Sequence, residues 1–250
     1  MRIILTFFIT LFLAPSAFTA ELTSALDQNM NGVMSKVIDW RHHFHQFPEL
    51  SNREYKTQKS IADALTEMGL EPNLDYGITG VTAFIRGQNS GPLIALRADI
   101  DGLPVTEQLN LPFSSKEKTT YQGNEIGVMH ACGHDAHIAI LLGVASFLSQ
   151  NTDKLNGDIM LIFQPAEEGA PAGEDGGAEL MLKQGLFELE KPDAIFGLHV
   201  SNLSHGTIML KPGPAMASAE AFRINIEGKQ THGSRPWEGA DPIVAAFNIG

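Results

Sequence analysis

The sequence predicts an α/β protein: a layered domain on a mostly parallel sheet, followed by the start of a second, α+β domain. Three observations carry this. Apolar runs of strand length, "PLIALRADID" (92–101), "GDIMLIFQPAEEG" (157–169) and "DAIFGLHV" (193–200), alternate with segments of helical period. The runs are nearly continuous, as parallel strands buried on both faces are. After Pro214 the texture changes to alternation, "ASAEAFRINIEG" (217–228), as in an antiparallel strand with one wet face.

Residues 1–20 read as an export leader. Arg2 precedes an apolar run from Ile3 to Leu13, and Pro15 and small residues follow. The run is shorter than the ~20 apolar residues that span a bilayer, and no second run of that length follows. Export to the periplasm or medium is expected, with no stable membrane partner. The folded part then opens with an amphipathic helix through Leu26, Met30, Val33, Val37 and Arg41, ended by Pro48. Ser51 and Glu54 have the spacing of a capping box for a second helix running to Gly69. "VTAFIRG" (81–87) and 92–101 read as strands, and 102–128 as irregular chain. "HIAILLGVASFLSQ" (137–150) reads as a buried helix, 157–169 as a strand, 178–184 as a helix and 193–200 as a strand. The first domain is placed at 21–214 and the second at 215–250, where Asp241-Pro242 is a helix start signal.

Seventeen Lys and Arg face twenty-nine Asp and Glu, a net charge of −12. That balance argues against nucleic acid as a partner. Motifs for a serine nucleophile elbow, a Walker phosphate loop and a dinucleotide fingerprint are missing.

The informative residues lie where strands end or helices begin, the ligand position of α/β sheets. Asp99 and Asp101 end one strand, Glu167 and Glu168 follow another, and His199 ends a third. Cys132 and His134 open the long helix. Thiolate, imidazole and carboxylate from separate segments form a transition-metal ligand set. Each has a blander reading. Cys132, the one cysteine in the chain, fits a small buried apolar site. Glu167-Glu168 fits a solvated pair, and His199 a satisfied core histidine. His137 reads as packing or a helix-start hydrogen bond, and His42, His43 and His45 as structural. A thiol hydrolase with Cys132 as nucleophile and His134 as base is a further reading.

Five segments in order, "RHHFHQFPELSNREYKT", "RADIDGLPVTE", "MHACGHDAHIAILLG", "FQPAEEGAPAGEDGGAELML" and "GLHV", resemble the metal-dependent N-acyl-amino-acid amidohydrolases. That family includes hippurate and auxin-conjugate hydrolases, aminoacylases and carboxypeptidases. "GKQTHGSRPWEGADPI" resembles the start of its inserted dimerisation (lid) domain. The resemblance implies two divalent metals, Zn or Mn with Co or Ni as alternatives, held by Cys132, His134, Glu168 and His199. It implies Glu167 as general base, Asp101 as the carboxylate orienting a ligand, and His232 as a lid donor to the transition state. The implied substrate is an N-acyl amino acid or short peptide, and the implied assembly a homodimer through the lid. Family members run further, to a last metal-binding histidine. A fragment of a longer reading frame is therefore expected, the alternative being an inactive metal- or peptide-binding remnant.

Overall fold

Helix α1 (Pro15–Gln46) and helix α3 (His134–Ser149) form one wall of the first unit. They approach closely because Gly143 leaves room for Val37: a Cβ at 143 would sit 2.4 Å from Val37 Cγ2. The computed structural model describes residues 15–218 and 222–249, with side chains from Glu21 onward. Most of the expected leader lies outside the described residues, and 15–20 are helical backbone continuous with α1. The described chain divides into two units, one ending at Asn202 and one comprising Leu203–Gly250.

In the first unit the sheet order is β1-β5-β2-β6, from β1 (Val81–Ile85), β2 (Asn89–Asp99), β5 (Asn156–Gln164) and β6 (Ala194–Gly197). β2 pairs parallel with both β5 and β6, and β1 pairs antiparallel with β5. The expectation of a mainly parallel sheet therefore holds, with one antiparallel edge. The apolar runs have a physical cause. Leu161 and Phe163 of β5 pack with Ile61, Ile138 and Leu142 under α2 (Tyr55–Glu67) and α3. Met160 and Ile162 pack on the other face with Met181 and Leu186, beside α4 (Gly177–Lys183). Successive side chains point to opposite faces, so a strand covered on both must be apolar throughout.

Three local expectations need correction. Ser51 and Glu54 do not form a capping box. The first turn of α2 is capped by Glu49, whose Oε2 accepts from Lys56 N–H (2.8 Å) and Thr57 N–H (2.9 Å). Both supposed cap residues turn inward instead: Ser51 Oγ donates to Asp101, and Glu54 accepts from Thr79 and Ala166. Segment 102–128 is not wholly irregular: β3 (Lys118–Tyr121) and β4 (Asn124–Gly127) form a hairpin. Its two turn residues, Gln122 (φ 49°) and Gly123 (φ 82°), both lie in the left-handed region that a tight hairpin turn needs.

The third correction falls in the second unit. Among its described residues, 217–228 joins no ladder, and Phe222 and Ile224 stand exposed. An alternating strand without a neighbouring edge leaves its backbone hydrogen bonds and its apolar face to water. What does form is a bridge between Lys229 and Ala240 and helix α5 (Pro242–Phe247). Asp241 caps α5 through Ile243 N–H, with Pro242 at its first position, as the sequence signal predicts. No described helix is long and apolar enough to cross a membrane.

Candidate metal centre

β2, β5 and β6 run parallel, so their carboxyl ends open on one side of the sheet, and the polar residues gather there. α3 begins three residues earlier than its apolar pattern suggests, which places His134 and His137 in its first turn. The turn into the helix uses Gly133 at φ 92°, the left-handed region. A Cβ there would also lie 2.4 Å from Val200 Cγ2, so the position requires glycine twice over.

His134 is the hub. It is fully buried, and its Nδ1–H donates to the Asp101 carbonyl (2.8 Å), with Asp101 Oδ1 at 3.3 Å. That fixes the tautomer and turns the Nε2 lone pair toward the acidic cluster. Nε2 has no hydrogen-bond partner in the structure. Glu167 Oε2 and Glu168 Oε1 each lie 3.8 Å from it, too far for a hydrogen bond. Two donors about 2.1 Å from one tetrahedral ion would be separated by about 3.4 Å. A buried, unpaired lone pair with carboxylates at that range fits a shared cation.

Cys132 Sγ and His199 Nε2 lie 3.4 Å apart, and with His134 they form a second three-donor group. The structure thus brings together Cys132, His134, Glu167, Glu168, His199 and Asp101. His232 belongs to the second unit, where its Nδ1 accepts from Ser234 N–H and faces Ser234 Oγ.

His137 also stands in a three-donor group, with Asp99 and His134, but both its ring nitrogens are occupied. Val200 N–H must donate to Nε2 (2.9 Å), so Nδ1 carries the proton and gives it to Asp99 Oδ1 (2.5 Å). His137 is a brace between β2 and the end of β6, as its helix-start position suggests. Asp99 is the residue whose role the sequence did not isolate. It lies two residues before Asp101, and no spacing rule separates the two acids.

The electrostatics favour a cation. Burial works against ionising Asp99, but His137, Arg97 and His134 outweigh it and hold the carboxyl at about 2. Burial opposes Asp101 too, yet the His134 imidazole beside it and hydrogen bonds from Ser51 Oγ and Glu168 N–H keep it below the usual carboxylate range. Burial lowers the pKa of His134, but Asp101, Asp99 and Glu167 together raise it, leaving Nε2 a more basic donor. Burial and then Asp99 raise Glu167. Burial and the Glu168 carboxylate push the Cys132 thiol up to about 12. A thiol nucleophile needs the opposite, an electropositive setting that lowers its pKa. A divalent ion among these acids would reverse the local balance and deprotonate the thiol.

Glu54 lies on the far side of this cluster, 0 % exposed, and burial raises its carboxyl to about 7. With the folded pKa above the unfolded one, its contribution to stability is full below pH ~4.5 and is lost as pH rises through ~7. The loss is on the order of 3 kcal/mol. Glu54→Gln is therefore expected to melt above the parent at pH 8. That advantage should shrink or reverse at pH 5, as thermal unfolding at the two pH values will show.

These features define a class: α/β proteins that gather thiolate, imidazole and carboxylate metal donors at the carboxyl ends of parallel strands. The chain belongs to the peptidase family M20/M25/M40, whose family model matches residues 95–248. It is 44% identical over 222 residues to the N-acetyl-L-cysteine deacetylase of Bacillus subtilis (strain 168), covering 88% of this chain and 50% of that protein. It is 42% identical over 222 residues to the hippurate hydrolase of Campylobacter jejuni, covering 87% of this chain and 52% of that one. Among solved structures it resembles a Bacillus subtilis protein described as a dinuclear metal binding peptidase from the M20 family. The TM-score is 0.64 at 43% identity, over 74% of this chain and 48% of that one. The chain thus spans about half the length of these relatives.

Proposed function

We propose that this chain forms the metal-binding part of a hydrolase that cleaves the amide bond of N-acyl amino acids or small peptides. The buried, unpartnered Nε2 of His134, facing Glu167 and Glu168, carries the reading. The relatives named for deacetylation of N-acetyl-L-cysteine and hydrolysis of hippurate support the substrate class. Cys132, His134, Glu168 and His199 would hold two divalent ions, Zn or Mn, with Co or Ni as alternatives. Bound there, such ions supply Lewis acidity that polarises a carbonyl and makes water acidic near neutral pH.

The chain's own groups do the rest. Asp101 holds the proton of His134 on Nδ1. Glu168 is anchored by its own N–H to Asp101 Oδ2 (3.0 Å) and is the more enclosed of the pair. Glu167, more open and with a raised pKa, is free to take a proton from water and pass it to the leaving amine. His232 is assigned to the lid as a donor to the developing oxyanion, and the lid to a homodimer contact. Export through the leader at 1–20 belongs to the same reading.

The test is turnover of N-acetyl- and N-benzoyl-amino acids by the purified chain, with and without chelator. Activity should disappear with chelator and return with Zn or Mn. Activity that survives chelation but not thiol alkylation would establish the thiol hydrolase instead. Metal uptake without turnover would establish a binding protein.

A further inference from the structure

Glu167 and Glu168 are consecutive, yet both carboxylates lie 3.8 Å from the same nitrogen of His134. Consecutive residues continuing a strand would point to opposite faces. The alternation is broken at Ala166, the residue just after Pro165 at the end of β5. Its φ is 51°, a left-handed conformation that residues with a Cβ rarely adopt and that, unlike Gln122, it adopts outside any hairpin turn. Ala166 is itself buried, so its N–H needs a partner inside the protein.

That partner is Glu54. Its Oε1 accepts from Ala166 N–H (2.9 Å), and its Oε2 accepts from Thr79 Oγ1 (2.5 Å). Glu54 does not cap α2, a task Glu49 performs. The neighbouring residues act on the same loop. Ser51 Oγ donates to Asp101 Oδ2 (2.7 Å), the oxygen that also receives Glu168 N–H. Asn52 Nδ2 donates to the Asp175 carbonyl (3.0 Å) and to Glu174 Oε2 (3.2 Å) at the far end of the acidic loop. Segment 51–54 therefore grips the loop that carries Glu167 and Glu168 through the Ala166 N–H, the Asp175 carbonyl and the carboxylates of Asp101 and Glu174, without touching the carboxylates of Glu167 or Glu168.

We propose that Glu54 is a positioning residue for the acidic pair: its reach holds Ala166 left-handed, and that turn aims Glu167 and Glu168 at one point. The proposal rests on the metal-centre reading given above. It is a claim about reach, not charge, and two conservative variants separate these. Glu54→Gln keeps the length, an oxygen for Ala166 N–H and an amide proton for Thr79. Glu54→Asp keeps the charge but withdraws the acceptor by one methylene.

The experiment is Co(II) titration of the full chain, followed by visible absorption, with amide hydrogen exchange at Ala166 measured alongside. Glu54→Gln should retain the parent's absorption and affinity. Glu54→Asp should bind Co(II) ~10-fold more weakly, as loss of a supporting contact typically does, with an altered absorption band, faster Ala166 exchange and an unchanged far-ultraviolet spectrum. Equal absorption, affinity and exchange in Glu54→Asp and the parent would overturn the proposal, as would Glu54→Gln being as damaging as Glu54→Asp. A parent chain that takes up no Co(II) would overturn the metal reading instead. The Ala166 exchange needs no metal and still decides the Glu54 contact in that case.

Discussion

Glu167→Gln is expected to lower amide hydrolysis by about 10²–10⁴-fold, the usual contribution of a positioned general base, while leaving metal binding nearly intact. The two neighbouring glutamates are equally far from His134 Nε2, so distance alone does not divide their roles. Three other observations do. Glu168 is tied by its backbone N–H to Asp101, which also orients His134, so its position is fixed relative to the imidazole. Its carboxylate is the neighbour that most raises the Cys132 thiol, which places it beside Cys132, a second candidate donor. Glu167 is 38% exposed, and burial and Asp99 raise its pKa, as suits a group that must take up and release a proton. Measuring kcat and bound metal together decides the assignment. Glu167→Gln should lose turnover and keep its metal, and Glu168→Gln should lose both. The reverse pattern would exchange the two roles.

How much of this was legible in the sequence depends on where each signal resides. Strand β5 was readable because burial on both faces writes itself into nearly every position of a strand, and β2 and β6 because their apolar runs pair with it or with each other, although Ile195 and Phe196 of β6 stand exposed. The gathering of Cys132, His134, Glu167, Glu168 and His199 in one place was legible because they follow those strands or open a helix. The spacing of Ser51 and Glu54 misled because it is satisfied equally by a local cap and by two side chains that face inward. Glu49 fills the cap from five residues before Glu54, and only tertiary packing decides between them. The β3–β4 hairpin was missed because "KTTY" and "NEIG" carry almost no apolar alternation, and Gln122-Gly123 is a weaker turn signal than Asn-Gly. The failure of the described residues of 217–228 to pair has the opposite cause. Its alternation is clear, but a strand exists only against another edge.

Asp99→Ala is expected to destabilise the fold by about 3–5 kcal/mol, the usual cost of removing one partner of a buried ion pair. At about 2–4 °C per kcal/mol for a chain of this size, the melting point should fall by roughly 6–20 °C. Asp99 is fully buried, with Arg97 Nη1 at 2.7 Å on one oxygen and His137 Nδ1–H on the other. Truncation leaves the His137 imidazole N–H and Arg97 Nη1 without this acceptor, while Arg97 Nε and Nη2 still donate to Gln164 Oε1. The pH dependence has a definite sign. The folded carboxyl titrates at about 2, below its ordinary 3.8, so its stabilisation is present above pH ~4 and is lost as pH falls toward 2. The gap between parent and variant should therefore narrow below pH 4. The same substitution should also weaken metal binding, by a route that runs through the backbone. His137 holds Val200 N–H with its other nitrogen, and Val200 follows His199. Releasing His137 frees the end of β6 that carries the His199 donor. If Asp99 were itself a ligand, Asp99→Ala would cost clearly more metal affinity than His137→Gln, which removes only a supporting hydrogen bond. If Asp99 acts through the brace, His137→Gln should lower that affinity as Asp99→Ala does, with a smaller loss of stability, because the Arg97–Asp99 pair stays in place.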